Sequence, residues 1–213
     1  SPLGRVGAWT EGLWSEQDRH PGDRLRLFSA VAAAVPATEV LYPGSFVDIA
    51  ASFVFPSVTY VDNNRRAVRF FSDQPGVERI IDENRTDDGA RAFLFLGQDY
   101  REELAVEPES VDLLVSLYAG FISEACTRYL RIGGTLLVNP SHGDAAMAAI
   151  DPRYRLAAVV KSGDGDYRVD DTDLGRYLIP KKPQTITPEF LHEHGRGIGY
   201  TRSPFAYLFE RIA

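Results

Sequence analysis

The 213-residue sequence contains a single cysteine, so it cannot form an internal disulfide bond. This excludes the disulfide-stapled secreted scaffolds, and we expect a cytoplasmic protein. No apolar run approaches the ~20 residues that a membrane-spanning helix requires, so no membrane partner is expected. Basic residues are in the minority, with 23 Lys and Arg against 30 Asp and Glu, and the formal charge is −7. Nucleic acid is therefore disfavoured as the main partner, because gripping phosphates requires positive charge.

Several motifs that carry catalytic chemistry are also missing. The sequence has no Gly-x-Ser-x-Gly nucleophile elbow, no Gly-x-x-x-x-Gly-Lys phosphate loop, no His-Glu-x-x-His pair and no paired cysteines. His192 and His194 are two residues apart, which directs them to different faces of a helix. The sequence therefore predicts no metal site and no hydrolase triad.

Short apolar runs alternate with helical patterns along most of the chain. The runs at 39–42, 58–61, 92–96, 111–117 and 135–138 are predicted to be strands, and helical patterns lie between them. Residues 111–117 are almost continuously apolar, as in a strand covered on both faces. Successive β-α units of this kind predict an α/β, Rossmann-like, doubly wound and mostly parallel sheet.

The ends of the chain are predicted to flank this sheet. An irregular opening precedes a helix that begins near Asp23 and stops at Pro36. Strands at 155–160 and 176–179 would complete a seven-stranded sheet with an antiparallel C-terminal edge strand. A helix is predicted from Thr187 to Gly195. The aromatic tail after it alternates like a strand or a final packing segment, and we favour packing. This tail could cover the acceptor cavity or a dimer contact, so a homodimer is allowed for.

No linker divides the chain, which predicts one domain. We assign residues 1–37 to a helical extension, 38–182 to the Rossmann-like core, and 183–213 to a C-terminal helix and tail. The first and last segments are expected to shape substrate specificity.

Ligands of doubly wound sheets bind beyond the carboxyl ends of the strands. Asp62 follows the second strand, about 20 residues after the glycine turn at Gly44, where a carboxylate can accept hydrogen bonds from ribose hydroxyls. The alternative is that Asp62 only caps the helix that follows.

The order of these features resembles the class I S-adenosylmethionine-dependent methyltransferases from Glu39 to about Lys182. The resemblance rests on the glycine turn, the acid after strand two, Gly97-Gln98-Asp99 after strand three, the Val-Asp-Leu-Leu-Val-Ser sequence at 111–116, and the Gly-Gly turn before strand five. The family's acid-x-Gly-x-Gly-x-Gly turn is here Tyr-Pro-Gly-Ser-Phe-Val-Asp at 42–48, so one glycine of three is kept.

The resemblance implies S-adenosylmethionine as cofactor and a small-molecule or protein methyl acceptor. It places the methionine part near Gly44, the ribose on Asp62, the adenine amino group on Asp99 beside the Gln98 backbone, and the methyl group near Ser116. The implied cofactor-binding residues are Tyr42, Gly44, Ser45, Asp48, Asp62, Asn63, Gln98, Asp99 and Ser116.

Charge favours this cofactor over a dinucleotide. A bound pyrophosphate at the glycine turn would meet the Asp48 carboxylate and the Phe46 ring, whereas S-adenosylmethionine carries a sulfonium and an ammonium. Asp48 can equally be a helix-terminal acid that interacts with the helix dipole.

Methyl transfer depends mainly on positioning, with a general base added only when the acceptor must lose a proton. Tyr118 after strand four and His142 after strand five are the candidate catalytic residues on the acceptor side, although a turn histidine can also simply be solvated. Two hypotheses follow: an active methyltransferase, or a methyltransferase-like binding module that has lost catalysis together with its glycines.

Overall fold

The computed structural model describes residues 4–213. The helices are α1 (Arg5–Gln17), α2 (Asp23–Ala34), α3 (Ala51–Val54), α4 (Arg65–Ser72), α5 (Gln74–Asn84), α6 (Ile122–Cys126), α7 (Asp144–Ile150) and α8 (Pro188–His194). The strands are β1 (Glu39–Pro43), β2 (Ser57–Val61), β3 (Ala92–Leu96), β4 (Val111–Ser116), β5 (Leu130–Val138), β6 (Tyr154–Gly163), β7 (Asp166–Asp170) and β8 (Ala206–Arg211). None of the described helices is long and apolar enough to cross a bilayer.

The strands form one sheet in the order β3-β2-β1-β4-β5-β8-β6-β7. The first five strands are parallel neighbours, and the strand order reverses between β1 and β4. The prediction of a mostly parallel, doubly wound α/β sheet is confirmed. Parallel pairing brings the carboxyl ends of β1 to β4 to the same edge of the sheet.

The sheet has eight strands rather than the predicted seven, and its antiparallel C-terminal strand is not at the edge. β8 lies between β5 and β6 and is antiparallel to both. Its sequence explains the position, because Ala206, Tyr207, Leu208 and Phe209 are all buried, as expected of a strand covered on both faces. Of the two alternatives for the tail, the strand is therefore correct, and the favoured packing segment is wrong.

The edge strand is β7, which forms a hairpin with β6. Asp164 and Gly165 connect the two strands with φ values of 53° and 80°, the left-handed conformations of a type I′ turn. Residues 177–179, predicted to be the seventh strand, lie outside the regular strands; next to them Pro180 makes an isolated bridge to Tyr200.

Helix boundaries differ from the predictions where local signals are weak. The opening is the helix α1 rather than an irregular segment, and Thr10 ties it to the α5 N-cap by a 2.6 Å hydrogen bond to Asp73. The helical pattern between the first two strands corresponds only to the short α3, and α6 ends at Cys126, with β5 starting at Leu130. The α8 boundaries are confirmed, with Thr187 capping the start and Gly195 ending it at φ 60°.

Helices cover both faces of the sheet. Helices α1 to α5 pack on one face, where Phe28, Phe53 and Phe70 are fully buried, and α6 and α7 pack on the other around Ile122 and Ala148. The described part of the N-terminal segment is therefore integral to one core layer. The proposed division into extension, core and tail remains a prediction.

Candidate functional site

A cavity of about 360 Å³ opens at the carboxyl ends of β1, β2 and β3, and we call it the β1–β3 cavity. It is lined by five of the nine predicted cofactor-binding residues: Gly44, Asp62, Asn63, Gln98 and Asp99. These residues come from the loops after three different strands. The fold therefore brings these five residues, which are spread over more than fifty positions of the sequence, to one cavity.

Asp62 holds two parts of this cavity in place. One carboxylate oxygen accepts a 2.8 Å hydrogen bond from the backbone N–H of Phe46, and the other accepts one of 2.8 Å from the N–H of Asn64. Asn64 in turn caps α4 by accepting from the N–H groups of Arg66 and Ala67. Because a carboxylate oxygen can accept two hydrogen bonds, each oxygen of Asp62 keeps capacity for a ligand.

The turn after β1 keeps two left-handed residues. Gly44 has φ 65°, and a Cβ built on it would lie 2.7 Å from the Cβ of Ala119 in the loop after β4. Phe46, which stands where the family pattern has a glycine, has φ 47°. A phenylalanine thus holds a backbone conformation that glycine adopts most easily. The Asp62 hydrogen bond to the Phe46 N–H is the contact that fixes it.

Asp99 is paired within its own loop. Its carboxylate makes a two-pronged contact with the Arg101 guanidinium, and hydrogen bonds from Arg101 hold the pKa of Asp99 below its ordinary value. The carboxylate is thus ionised and lies at the cavity wall. The backbone N–H of Gln98, which the resemblance places beside the adenine, already donates to the Leu96 carbonyl at 2.9 Å.

Three of the predicted cofactor residues lie beneath the β1 turn rather than on the cavity wall. Tyr42, Ser45 and Asp48 are at most 3% exposed. Tyr42 donates a 2.6 Å hydrogen bond to Asp48, and the Asp48 carboxylate lies 3.4 Å from Nε of Arg24. Burial raises the pKa of Asp48, and the nearby Arg24 charge counteracts this effect.

Ser116 is buried in a separate polar cluster. Its hydroxyl donates to Asp144 at 2.7 Å, and the same carboxylate accepts from the backbone N–H and the hydroxyl of Ser123. Burial raises the pKa of Asp144 to about 6, although these hydrogen bonds oppose the shift. The cluster joins the end of β4 to the first turns of α6 and α7. Ser116 is thus a structural partner of Asp144 and does not line the β1–β3 cavity.

A second and larger cavity of about 520 Å³ lies at the start of α2, and we call it the α2 cavity. Its wall includes Asp18, Asp23, Arg24, Tyr118, Tyr167 and Phe205. Tyr118 therefore lines this second cavity, and its place on the acceptor side stays a prediction. It is 54% exposed and has φ 52°.

Arg24 connects the α2 cavity to the buried pair beneath the β1 turn. Its guanidinium lies over the Tyr118 ring, 5.2 Å from the centroid, and faces Asp48 behind it. Burial is the largest single influence on the pKa of Arg24 and lowers it, but the Asp48 carboxylate together with Tyr42, Tyr118 and Asp23 raises that pKa above its ordinary value. The β1 turn, through Gly44, and the loop after β4, through Tyr118, thus line one cavity each.

His142, the other candidate catalytic residue, is exposed and lines neither cavity. Its Nδ1 lies 2.8 Å from the Ser141 hydroxyl, which donates to Asn139 Oδ1. The same Asn139 oxygen accepts from the backbone N–H of Tyr118. A chain of hydrogen bonds therefore links His142 to the Tyr118 loop, and a catalytic role for it stays a prediction.

Apart from Tyr118, sequence reasoning missed the residues of the α2 cavity. A helix was predicted to begin near Asp23, and in the structure Gly22 is its N-cap and Asp23 its first residue, but no functional role was predicted for Asp23. No sequence motif around Arg24 distinguishes it from an arginine that is simply exposed to solvent. The one available signal is the alternation in β7, where Tyr167 and Val169 face inward between polar residues.

Neither a protein-family model nor a curated protein matches the chain. Solved structures do. A ribosomal protein L11 methylase from Lactobacillus delbrueckii subsp. bulgaricus is 10% identical over 91% of this chain and 80% of that chain, with a TM-score of 0.51. A methyltransferase from Geobacter sulfurreducens is 12% identical over 75% of this chain and 85% of that chain, with a TM-score of 0.47.

The O-methyltransferase TomG from Streptomyces achromogenes, whose structure is a complex with S-adenosylmethionine, is 12% identical over 79% of this chain and 88% of that chain, with a TM-score of 0.46. The likeness to the Lactobacillus methylase extends over most of both chains. It shows that this chain has the class I methyltransferase fold, as the sequence resemblance predicted.

Proposed function

We propose that this protein is an S-adenosylmethionine-dependent methyltransferase acting on a small molecule or a protein side chain. One observation carries the proposal: Gly44, Asp62 and Asp99 converge with their neighbours on a single cavity at the carboxyl ends of three adjacent parallel strands. Doubly wound sheets bind their ligands at this edge, next to the point where the strand order reverses.

The residues of the β1–β3 cavity fit the cofactor chemically. A volume of about 360 Å³ is within the ordinary range of small-molecule sites. Asp62 retains acceptor capacity for two vicinal hydroxyls, and Asp99, although paired with Arg101, keeps an ionised carboxylate at the cavity wall. The cavity wall holds two carboxylates and the Arg101 guanidinium, a balance that suits a cation better than a phosphate.

When bound, the cofactor would supply a methyl group attached to a positively charged sulfur. The chain would supply position, with Asp62 holding the ribose. Tyr118 would face the acceptor from the α2 cavity. The acceptor would enter through the α2 cavity, which shares no lining residue with the β1–β3 cavity.

Calorimetric titration with S-adenosylmethionine and S-adenosylhomocysteine tests the proposal. We expect saturable binding by the wild type, and a loss of about tenfold or more in Asp62→Ala, because charged hydrogen bonds to the ribose disappear. Asp99→Asn provides a second variant that leaves the Asp62 contacts intact. Asp88→Asn, an exposed carboxylate outside the cavity, is the matched control. Absence of binding by the folded wild type would rule the proposal out.

The second candidate is a methyltransferase-like module without catalysis. The close contact between Gly44 and Ala119, together with Phe46 in the glycine turn, favours it, because both reduce the space above β1. The same titration separates the two functions. A folded protein that binds neither ligand would favour the inactive module, whereas binding that depends on Asp62 would favour the enzyme.

A further inference from the structure

The strand β3 forms one edge of the sheet, and it contains neither a charged residue nor a proline. Its sequence is Ala-Phe-Leu-Phe-Leu, and it pairs with β2 along its whole length without a bulge. The other edge strand, β7, alternates Asp166, Arg168 and Asp170 with Tyr167 and Val169. Natural sheets protect their edges with charges, prolines or bulges. β7 therefore has a usual protection against pairing with another chain, and β3 has none.

The outer side of β3 presents backbone groups that are free to pair. The N–H of Ala92 donates to the Pro56 carbonyl, so alternate residues from Ala92 onwards direct their backbone groups towards β2. The N–H and C=O groups of Phe93 and Phe95 therefore point away from the sheet. No loop or helix cap of residues 4–213 supplies a backbone hydrogen bond to them.

Apolar side chains flank these groups on both faces of the sheet. Leu94 is 51% exposed, because the chain passes from β3 to β4 without a helix that could cover this face. On the other face, Phe93 and Phe95 border a groove of about 490 Å³ together with Val68 of α4, which is 42% exposed. An edge that is both apolar and unpaired is a site for association with another strand.

This edge is complementary to a second copy of itself. When two β3 strands run antiparallel about a two-fold axis at Leu94, Phe93 of each copy lies opposite Phe95 of the other. Residues opposed in this way exchange both of their backbone hydrogen bonds, so every outward-facing group of both strands is paired. The two Leu94 residues form the central non-hydrogen-bonded pair, in which side chains are closest. Such a contact uses the same surface on both copies and closes at a dimer.

The helix beside the carboxyl end of β3 offers a positive charge. Val68 and Ser72 of α4 line the groove, and Arg65 precedes them on the same face at helical spacing. Arg65 is exposed, whereas Arg66 and Arg69 of the same helix are engaged with other side chains of the chain. Arg65 is therefore the arginine of α4 that is available to a second copy.

The helix beside the amino end of β3 offers a negative charge. Glu78 and Asp82 of α5 line a cavity that reaches the start of the strand. The two arginines of that cavity already have partners, because Arg85 lies 3.5 Å from Asp82 and Arg91 lies 3.1 Å from Asp87. Glu78 is exposed and has no ion pair within residues 4–213.

Antiparallel pairing matches these two charges. It places the carboxyl end of one β3 beside the amino end of the other, so Arg65 of each copy approaches Glu78 of the second copy. The acidic Glu102 and Glu103 follow β3 in its loop, beyond the paired residues. Exposed ion pairs add little affinity, so the two symmetric contacts mainly set the direction and register of the pairing.

We propose that this protein forms a homodimer in which the β3 strands of two copies pair antiparallel about a two-fold axis at Leu94, joining the two sheets into one. The aromatic tail considered for a dimer contact lies inside the sheet as β8. Leu94, Arg65 and Glu78 line neither the β1–β3 cavity nor the α2 cavity. The dimer is therefore independent of the proposed function.

Gel filtration with light scattering, over a series of protein concentrations, measures the oligomeric state. We expect a wild-type dimer that Leu94→Lys weakens about tenfold or more, because the pairing would bring two like charges together at its centre. Ile132→Lys is the matched control: Ile132 is 53% exposed and lies on β5, away from the edge, so this variant should stay dimeric. Thermal melting checks that both variants are folded.

A cysteine at the axis tests the geometry without disturbing the apolar edge. Opposed non-hydrogen-bonded residues have Cα atoms about 4.5 Å apart, a distance that a disulfide can bridge. The native Cys126 is buried. Oxidised Leu94→Cys should therefore form a covalent dimer on non-reducing gels, whereas the wild type and Ile132→Cys should not. A dimer in which Leu94→Cys does not cross-link would overturn the two-fold axis at Leu94.

A charge swap tests the direction of the strands. Arg65→Glu and Glu78→Arg should each weaken the dimer about fivefold or more, since each replaces two attractive contacts by repulsive ones. The double variant restores opposite charges and should recover the wild-type affinity. Two single effects that simply add in the double variant would contradict the Arg65–Glu78 contact.

The oligomeric state of the wild type decides the proposal as a whole. A folded protein that stays monomeric at concentrations on the order of 100 µM would overturn it and leave the edge to a strand of a different protein. Assemblies larger than a dimer would overturn the closed two-fold pairing. Because none of these measurements uses a ligand, S-adenosylmethionine binding can fail while the dimer stands, and the reverse.

Discussion

The Tyr42 hydroxyl donates a 2.6 Å hydrogen bond to the buried carboxylate of Asp48. The family pattern has an acidic residue at the position of Tyr42. Here the nearby carboxylate belongs to Asp48, six positions later, and the Tyr42 hydroxyl is hydrogen-bonded to it. Asp48 also faces Arg24, whose guanidinium reaches the α2 cavity. Tyr42 and Asp48, which replace an acid and a glycine of the family pattern, thus contact the arginine on the wall of the α2 cavity.

Removing this hydroxyl should destabilise the fold. In Tyr42→Phe the Asp48 carboxylate loses its shortest hydrogen bond while it remains buried, and we expect a loss of about 1–3 kcal/mol in the free energy of unfolding. Urea denaturation measures the change. Tyr118→Phe is the control, because that hydroxyl is on an exposed ring and its loss should change stability by less than about 0.5 kcal/mol. Equal effects in the two variants would contradict the role of the Tyr42–Asp48 pair.

Sequence patterns predicted the first half of the sheet because local signals determine it. Strand β3 has the predicted bounds, since its apolar run is closed by a polar loop before it and by Gly97 after it. The position of β8 depends instead on pairing Phe209 with Leu136, more than seventy residues away. The run from Phe205 to Phe209 is apolar at every position, and this signal indicates an interior strand.

The residues of the candidate site likewise fall into those that local sequence predicts and those that only tertiary structure places. Asp62 and Asp99 were predicted because the ends of parallel strands meet at one edge. Whether a residue near that edge faces the cavity or the core depends on a single step of the chain, which is why Ser116 points to Asp144 instead. Arg24 reaches the site from a packed helix, and its place is decided by tertiary structure alone.

Gly44 should not tolerate a side chain. Its φ of 65° and the 2.7 Å distance from a built Cβ to Ala119 predict that Gly44→Ala costs about 1–3 kcal/mol. Gly12 provides the opposite case: it lies within α1, and a Cβ there would meet nothing within 4 Å. Gly12→Ala should therefore stabilise the protein by about 0.5–1 kcal/mol. Chemical denaturation should therefore show a lower free energy of unfolding for Gly44→Ala and a higher one for Gly12→Ala than for the wild type.

Asp144 should make stability depend on pH in a direction opposite to that of an ordinary ion-paired carboxylate. Its pKa in the folded protein is about 6, whereas in the unfolded chain it is expected near ~4. The folded state therefore binds the proton more tightly, so the contribution of this group is most favourable below pH ~4 and is lost as the pH rises to about 6.

The variant Asp144→Asn removes this titration. The stability of the wild type minus that of the variant should fall by about 2 kcal/mol between pH ~4 and pH ~7, and denaturation curves across this range provide the measurement. For the exposed control Asp88→Asn, the corresponding difference should not fall in this way. A wild-type advantage that grows with pH would show that the Ser116 and Ser123 hydrogen bonds outweigh burial.

Phe46 has a positive φ, so at this position a glycine variant should be more stable than an alanine variant, the reverse of the usual order. Phe46→Ala and Phe46→Gly both lose the ring, which lies 5.8 Å from the Arg66 guanidinium, and both keep the N–H that donates to Asp62. They differ in the left-handed backbone at φ 47°, which alanine adopts at a cost that glycine does not have. We expect the glycine variant to be more stable than the alanine variant by about 1 kcal/mol.

An alanine with ordinary helical backbone angles provides the control for this comparison. Ala33 lies near the end of α2 and is exposed, so Ala33→Gly should lose about 0.5–1 kcal/mol. Finding alanine more stable than glycine at position 46 would show that the β1 turn relaxes once the ring is gone. Under the methyltransferase proposal, Phe46→Gly should also bind S-adenosylhomocysteine at least as tightly as the wild type. It removes the ring from the turn and preserves the contact through which Asp62 shapes the cavity.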